Sequence, residues 1–236
     1  MTGPGETDAR TISRSAADDR LRLLANMPGR YHLEKWQHSP EHKVTEFACR
    51  IQRISPASLT LAAPVGGNVG DWVTTHFDEF GHLRGQIHRA LGFGFTLLLE
   101  ASEDERLRLA EKIRWLEKRK NFAVSDLRRH TRTIPRNPES TIVLADGHLV
   151  PCFVIDISNS GAAISANIEA TIGTPLALGT VVGRIVRRLD PGFAIQFIEM
   201  VPEGELERRL IRSAAELLPE LRQRIPELAA SRKAGH

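Results

Sequence analysis

The chain has 236 residues, 41% of them hydrophobic and 26% charged, which suits one large globular domain or two of about 100 residues each. A formal charge of +3, from 32 basic and 29 acidic groups, is too even for a protein that grips nucleic-acid polymers through a basic face. Two cysteines, Cys49 and Cys152, are too few for a disulfide framework and lack metal-ligand spacing. No apolar stretch approaches the ~20 residues of a membrane helix, and "MTGPGETDAR" has no signal-peptide core. The expectation is a cytoplasmic protein of a reducing compartment with no membrane insertion.

In chain order, residues 1–25 are predicted to form a mobile tail and a helix over "SAADDRLRLLANM", which ends before Pro28. Residues 26–100 read as a β-rich module. In "SEDERLRLAEKIRWLEKRKNF" the period changes. Ser102 with Glu105 makes a capping-box pattern, and Leu109, Ile113 and Leu116 share one face, so residues 101–123 read as a linking helix. Residues 124–201 return to strands. "TIVLADGHLVPCFVIDIS" sets two β-branched runs around Asp146-Gly147, a hairpin signal, and "GTVVGRIVRRL" and "GFAIQFIEM" are joined by "DPG". Residues 202–236 are predicted to be a C-terminal helix, broken or kinked at Pro219, with a mobile end.

The chain also repeats itself. "ACRIQRISPASLTL" lies over "PCFVIDISNSGAAI", which sets Cys49 on Cys152, Ile51 on Val154 and Ser55 on Ser158. Further on, "GQIHRALGFGFTLLL" lies over "GRIVRRLDPGFAIQF", with Gly85, Ile87, Arg89 and Phe95 recurring as Gly183, Ile185, Arg187 and Phe193. Several matches in one order imply two copies of a single module. Short strands punctuated by Gly and Pro make each copy an antiparallel barrel or sandwich.

The chemistry gathers in the second copy. "DLRRHTRTIPR" sets Arg128 and Arg132 four apart, with Arg129 between them and Arg136 nearby. Guanidinium forks suit phosphate oxygens or the O6/N7 edge of guanine. "DISNSG" supplies the complement. Asp156 and Ser158 share a strand face, a carboxylate there can accept from guanine N–H groups, and Gly161 leaves room for a turn or a close approach. A ligand that is anionic on one edge and donor-bearing on another, as a guanine nucleotide is, fits both halves.

Arg-x-x-x-Arg at Arg128 and Arg132, followed by Asp-x-Ser-x-x-Gly at Asp156, Ser158 and Gly161, resembles the signature of PilZ domains, bacterial receptors for cyclic di-GMP. The resemblance implies a mainly β chain, with two PilZ-like six-stranded antiparallel β-barrels in tandem, each followed by a helix. It also implies that the arginine loop swings onto the nucleotide and alters the packing of flanking parts. The same positions in residues 26–100 are degenerate: Arg53 stands for Asp156 and Ser58 for Gly161, and no Arg-x-x-x-Arg precedes them. That copy is expected to bind no cyclic di-GMP.

Other signals carry less. Arg184 and Arg188 are candidates for the pocket rim, whereas Arg187 recurs as Arg89 and reads as structural. Leu127 cannot stack on a second, intercalated nucleotide as an arginine would, so one nucleotide per site is expected. His38 and His42 are separated by Ser-Pro and have no third ligand, so no metal is predicted. "GGNVG" and "GFGF" lack the spacing of phosphate-binding loops, and His130 near Ser125 and Asp126 has no nucleophile elbow. The expectation is a non-enzymatic receptor without a cofactor that signals to a protein partner in motility, adhesion or exopolysaccharide control. Its rival is a ligand-independent tandem-barrel scaffold. Single-stranded RNA binding trails both, because base stacking needs aromatics that this chain, with one tyrosine, hardly supplies.

Overall fold

The computed structural model describes residues 27–37, 39–119, 132–169 and 171–219. The expected N-terminal helix, His38, Arg128, Arg129 and the end of the chain lie outside the described residues. Two compact units divide the chain, each built on its own closed, six-stranded antiparallel barrel.

The first barrel comprises β1 (Pro28–Leu33), β2 (Glu46–Ile54), β3 (Ser58–Ala62), β4 (Trp72–Phe77), β5 (Gly81–Ala90) and β6 (Phe95–Leu99). The second comprises β7 (Glu139–Leu144), β8 (Leu149–Ser158), β9 (Gly161–Ala166), β10 (Pro175–Leu178), β11 (Val181–Leu189) and β12 (Gly192–Phe197). Around the first barrel the neighbours run β1-β2-β3-β6-β5-β4, and around the second β7-β8-β9-β12-β11-β10, the same circuit. Closure leaves no strand edge unpaired in either barrel.

Period-two alternation fills each interior. In β11 the inward positions are Val181, Gly183 and Ile185, while Val182 and Arg184 face out. The second core gathers Val154, Ile157, Ile164, Leu178, Ile185, Phe193 and Ile195, and Leu206 and Leu210 from the trailing helix close it. In the first unit, Tyr31 meets Phe95 edge-on with ring centroids 5.3 Å apart, amid buried Ile51, Leu59, Val73 and Leu97. Cys49 and Cys152 are both buried and unbridged, and desolvation pushes both thiols up, so they serve as small core hydrophobes.

The repeat extends to irregularities. The ladder register slips by one residue between Ile51 and Arg53 in β2, and between Val154 and Asp156 in β8. It slips again between Ile87 and Arg89 in β5, and between Ile185 and Arg187 in β11. Each slip is a bulge that turns the following side chain from inward to outward. Alternation from Val154 would bury Asp156; the bulge at Ile155 puts Asp156 outside and Ile157 inside.

Helix α1 (Glu103–Arg119) starts as a capping box: the Ser102 amide and hydroxyl donate to Glu105 Oε2, both at 2.7 Å, and the Glu105 amide donates back to Ser102 Oγ. The Asp146-Gly147 signal does mark a hairpin. Gly147 has a positive φ of 86°, within a four-residue loop closed by the Leu144 amide on the His148 carbonyl.

The C-terminal helix needs a correction. It breaks at Ile211–Ser213, well before Pro219. A 3-10 turn at Glu203–Glu205 leads into α2 (Leu206–Leu210), and helix resumes over 214–219. The barrel captures the last carbonyls of α2. Ser140 Oγ donates to the Leu210 carbonyl at 2.5 Å, and the Thr180 amide donates to the Arg209 carbonyl at 3.0 Å. Ser213 with Glu216 then caps a fresh start.

Candidate ligand site on the second barrel

Cross-strand register builds the site. One row of outward positions runs Asp156 on β8, Ala163 on β9, Ala194 on β12 and Arg187 on β11. The adjacent row runs Ser158, Gly161, Gln196 and Arg184. Ala163 and Ala194 in the first row and Gly161 in the second leave a recess of about 480 Å³, lined by Arg132, Asp156, Ser158, Ser160, Gly161, Arg187 and Gln196 among others. That size lies within the ordinary range of small-ligand clefts.

Arg132 reaches the recess because Thr133 is pinned beside β8. Its amide donates to the Ile157 carbonyl at 2.8 Å, and the Ile157 amide returns the bond at 2.9 Å. From that anchor Arg132 Nη1 donates to Asp156 Oδ2 at 2.9 Å, with the two side chains 34% and 20% exposed. Asp156 therefore faces the recess and not the core, and it is already charge-paired with the arginine predicted to share its ligand.

Ser158 Oγ donates to the Gly161 carbonyl at 3.1 Å, which tightens the β8–β9 turn. Its only proton is spent there, so the hydroxyl meets the recess as an acceptor. Gly161 has a specific reason to lack a side chain: a Cβ built there would lie 2.3 Å from the Ile195 carbonyl oxygen. The close approach is made by strand β12 itself, so the glycine is required by the barrel wall.

The structure thus brings Arg132, Asp156, Ser158 and Gly161 to one recess. Arg184 ends the second row but does not line the recess, and Arg188 lies further along β11 opposite Phe193. Arg136 is exposed, its amide held by Glu207 Oε1 at 3.1 Å, and it too stands apart. Sequence reasoning passed over Ser160, Arg187 and Gln196. Gln196 could have been found from the alternation in "GFAIQF", whose inward positions are Phe193, Ile195 and Phe197.

The same rows in the first barrel carry different chemistry. There the first row reads Arg53, Thr60, Thr96, Arg89, with guanidinium groups at both ends. Thr60 Oγ1 and Thr96 Oγ1 hydrogen-bond at 3.1 Å, where the second barrel has two methyl groups. Ser58 and Leu98 stand where Gly161 and Gln196 stand in the second barrel.

Among the described residues no group of His, Cys, Asp and Glu side chains could hold a metal ion, and no helix is long and apolar enough to cross a membrane.

No curated protein sequence matches the chain. Solved structures similar to it include Borreliella burgdorferi PlzA in complex with c-di-GMP, at 14% identity over 84% of this chain and 87% of that one, with a TM-score of 0.23. Escherichia coli YcgR in complex with c-di-GMP is 14% identical over 92% of each chain, with a TM-score of 0.23. The Bacillus subtilis inhibitor of motility MotI is 13% identical over 85% of this chain and 99% of that one, with a TM-score of 0.26. Scores this low add nothing to the assignment, which rests on sequence. Residues 126–216 match the family model described as PilZ domain. Barrel, motif and family match fall on the same residues, and over 126–216 the second barrel matches the PilZ domain family.

Proposed function

We propose that the chain is a non-enzymatic receptor for cyclic di-GMP, with its binding site in the second barrel. Arg128, Arg132, Asp156, Ser158 and Gly161 form that site. The observation that carries the reading is the convergence of Arg132, Asp156 and Ser158 on one recess of suitable size. Asp156 and Ser158 offer acceptors to the guanine N1–H and N2–H₂ groups, while Arg132 turns its fork to a phosphate or to the O6/N7 edge. The ligand orders the segment 125–136 and thereby biases how flanking parts pack, with an effect no larger than its differential affinity for the two arrangements. The output is a surface for a protein partner, in the family's usual business of motility, adhesion or exopolysaccharide control.

The rival reading, a ligand-independent scaffold, draws on the Arg132–Asp156 pair as an ordinary surface ion pair. Calorimetric titration with cyclic di-GMP separates the two. Micromolar or tighter binding, weakened at least tenfold in Arg132→Ala and in Asp156→Ala, is the expected result. A folded protein that gives no heat favours the scaffold.

A further inference from the structure

Arg187 occupies a place that the family motif leaves unassigned. The outward row that starts at Asp156 ends at Arg187, with only Ala163 and Ala194 between them. Three inter-strand spacings of about 4.8 Å set the two ends roughly 14 Å apart. Alternation from Ile185 would send Arg187 into the core, but the bulge at Val186 turns it outward onto the recess wall. Among the described residues its guanidinium has no hydrogen-bond or ion-pair partner. The two ends of the row therefore differ: Asp156 is matched by Arg132, and Arg187 by nothing within the described chain.

A charged fork of this kind, opposite a carboxylate and across a floor of methyl groups, fits a ligand that spans the whole row. Such a ligand presents donors at one end and acceptors or a negative charge at the other. A single base held at Asp156 would leave the far end of the row uncovered, whereas a cyclic dinucleotide brings a phosphate or a second guanine edge to it. We infer that Arg187 is a third ligand-binding arginine, gripping the dinucleotide on the side opposite Asp156. This rests on the cyclic di-GMP reading above and goes beyond it, since neither Arg184 nor Arg188, the arginines of that strand singled out by sequence, lines the recess.

The test is calorimetry with cyclic di-GMP on the full chain and on Arg187→Ala, Arg187→Lys, Arg184→Ala and Arg188→Ala. The expected result is a loss of at least tenfold in affinity for Arg187→Ala and a smaller loss for Arg187→Lys, which keeps the charge but not the fork. Arg184→Ala and Arg188→Ala should stay within about threefold of the parent, a limit that separates screened surface charges from direct contacts. Arg187 is exposed, so its melting temperature serves as the folding control. Binding by the parent with Arg187→Ala within threefold of it overturns this assignment and leaves the receptor reading standing. No binding by the parent removes the receptor reading, and this assignment with it.

Discussion

Gly161 shows how one residue serves a barrel and a motif together. Its missing side chain admits the Ile195 carbonyl, and the same absence keeps the recess floor low. Gly161→Ala is expected to cost about 1–3 kcal/mol, because the obstacle is backbone and a strand must move. In a barrel of this size that amounts to a fall in melting temperature of roughly 5–20 °C, measurable by calorimetry or circular dichroism. A second residue-scale expectation concerns His32 in the first barrel. Burial, aided by nearby His82 and opposed by Glu34, holds its imidazole below the ordinary value near 6.5. The unfolded chain then takes up the proton first, so the stabilisation is fully present above about pH 6.5 and is lost as pH falls through the depressed value. Thermal melts between pH 8 and 5 should show a smaller acid-side decline in His32→Gln than in the parent. That Asp156 and Ser158 share a strand face was legible, because it follows from their spacing alone. The outward direction of Asp156 and of Arg187 was not, because each depends on a bulge, and one extra residue in a strand leaves no mark in composition.

Strands were legible wherever a pattern repeated. The two copies share circuit, bulges and the Ser–turn contact: Ser158 bonds the Gly161 carbonyl, and Ser55 bonds the Ser58 carbonyl at 3.3 Å. The break after α2 was illegible, since "LERRLIRSAAELL" has helical periodicity throughout. The termination comes from Ser140 and Thr180, distant in sequence, which take up the final carbonyls. Tertiary hydrogen bonds overrode local propensity there. The rows also set the first barrel apart from the second by more than a single charge reversal. Arg53 removes the acceptor, and the Thr60–Thr96 pair occupies the floor. A chain carrying Arg132→Ala together with Arg53→Asp, Thr60→Ala and Thr96→Ala is expected to bind no cyclic di-GMP, because the rebuilt acid row still lacks an arginine turn. Calorimetric heat from that chain would show that the row suffices by itself.

At the scale of the whole molecule, two closed barrels with separate cores predict two responses to one ligand. A compound that binds only the second barrel stabilises only that unit. At a hundredfold excess over its Kd the gain is about 2.7 kcal/mol. Differential scanning calorimetry should then show one transition rising by roughly ten degrees or more while the other stays put, with one ligand taken up per chain in titration. Equal movement of both transitions would mean that the barrels unfold as one body.

On the receptor reading proposed above, the Arg132–Asp156 contact has a consequence for discrimination among cellular solutes. Each partner already satisfies the other, so a newcomer has to offer something to both. Inorganic phosphate or a nucleotide lacking suitable N–H groups can draw Arg132 away only by stranding a carboxylate. A neutral donor that courts Asp156 strands a guanidinium instead. The contact works as a conjunction test, answering abundant half-matching metabolites weakly and yielding to a molecule that completes both bonds in one encounter.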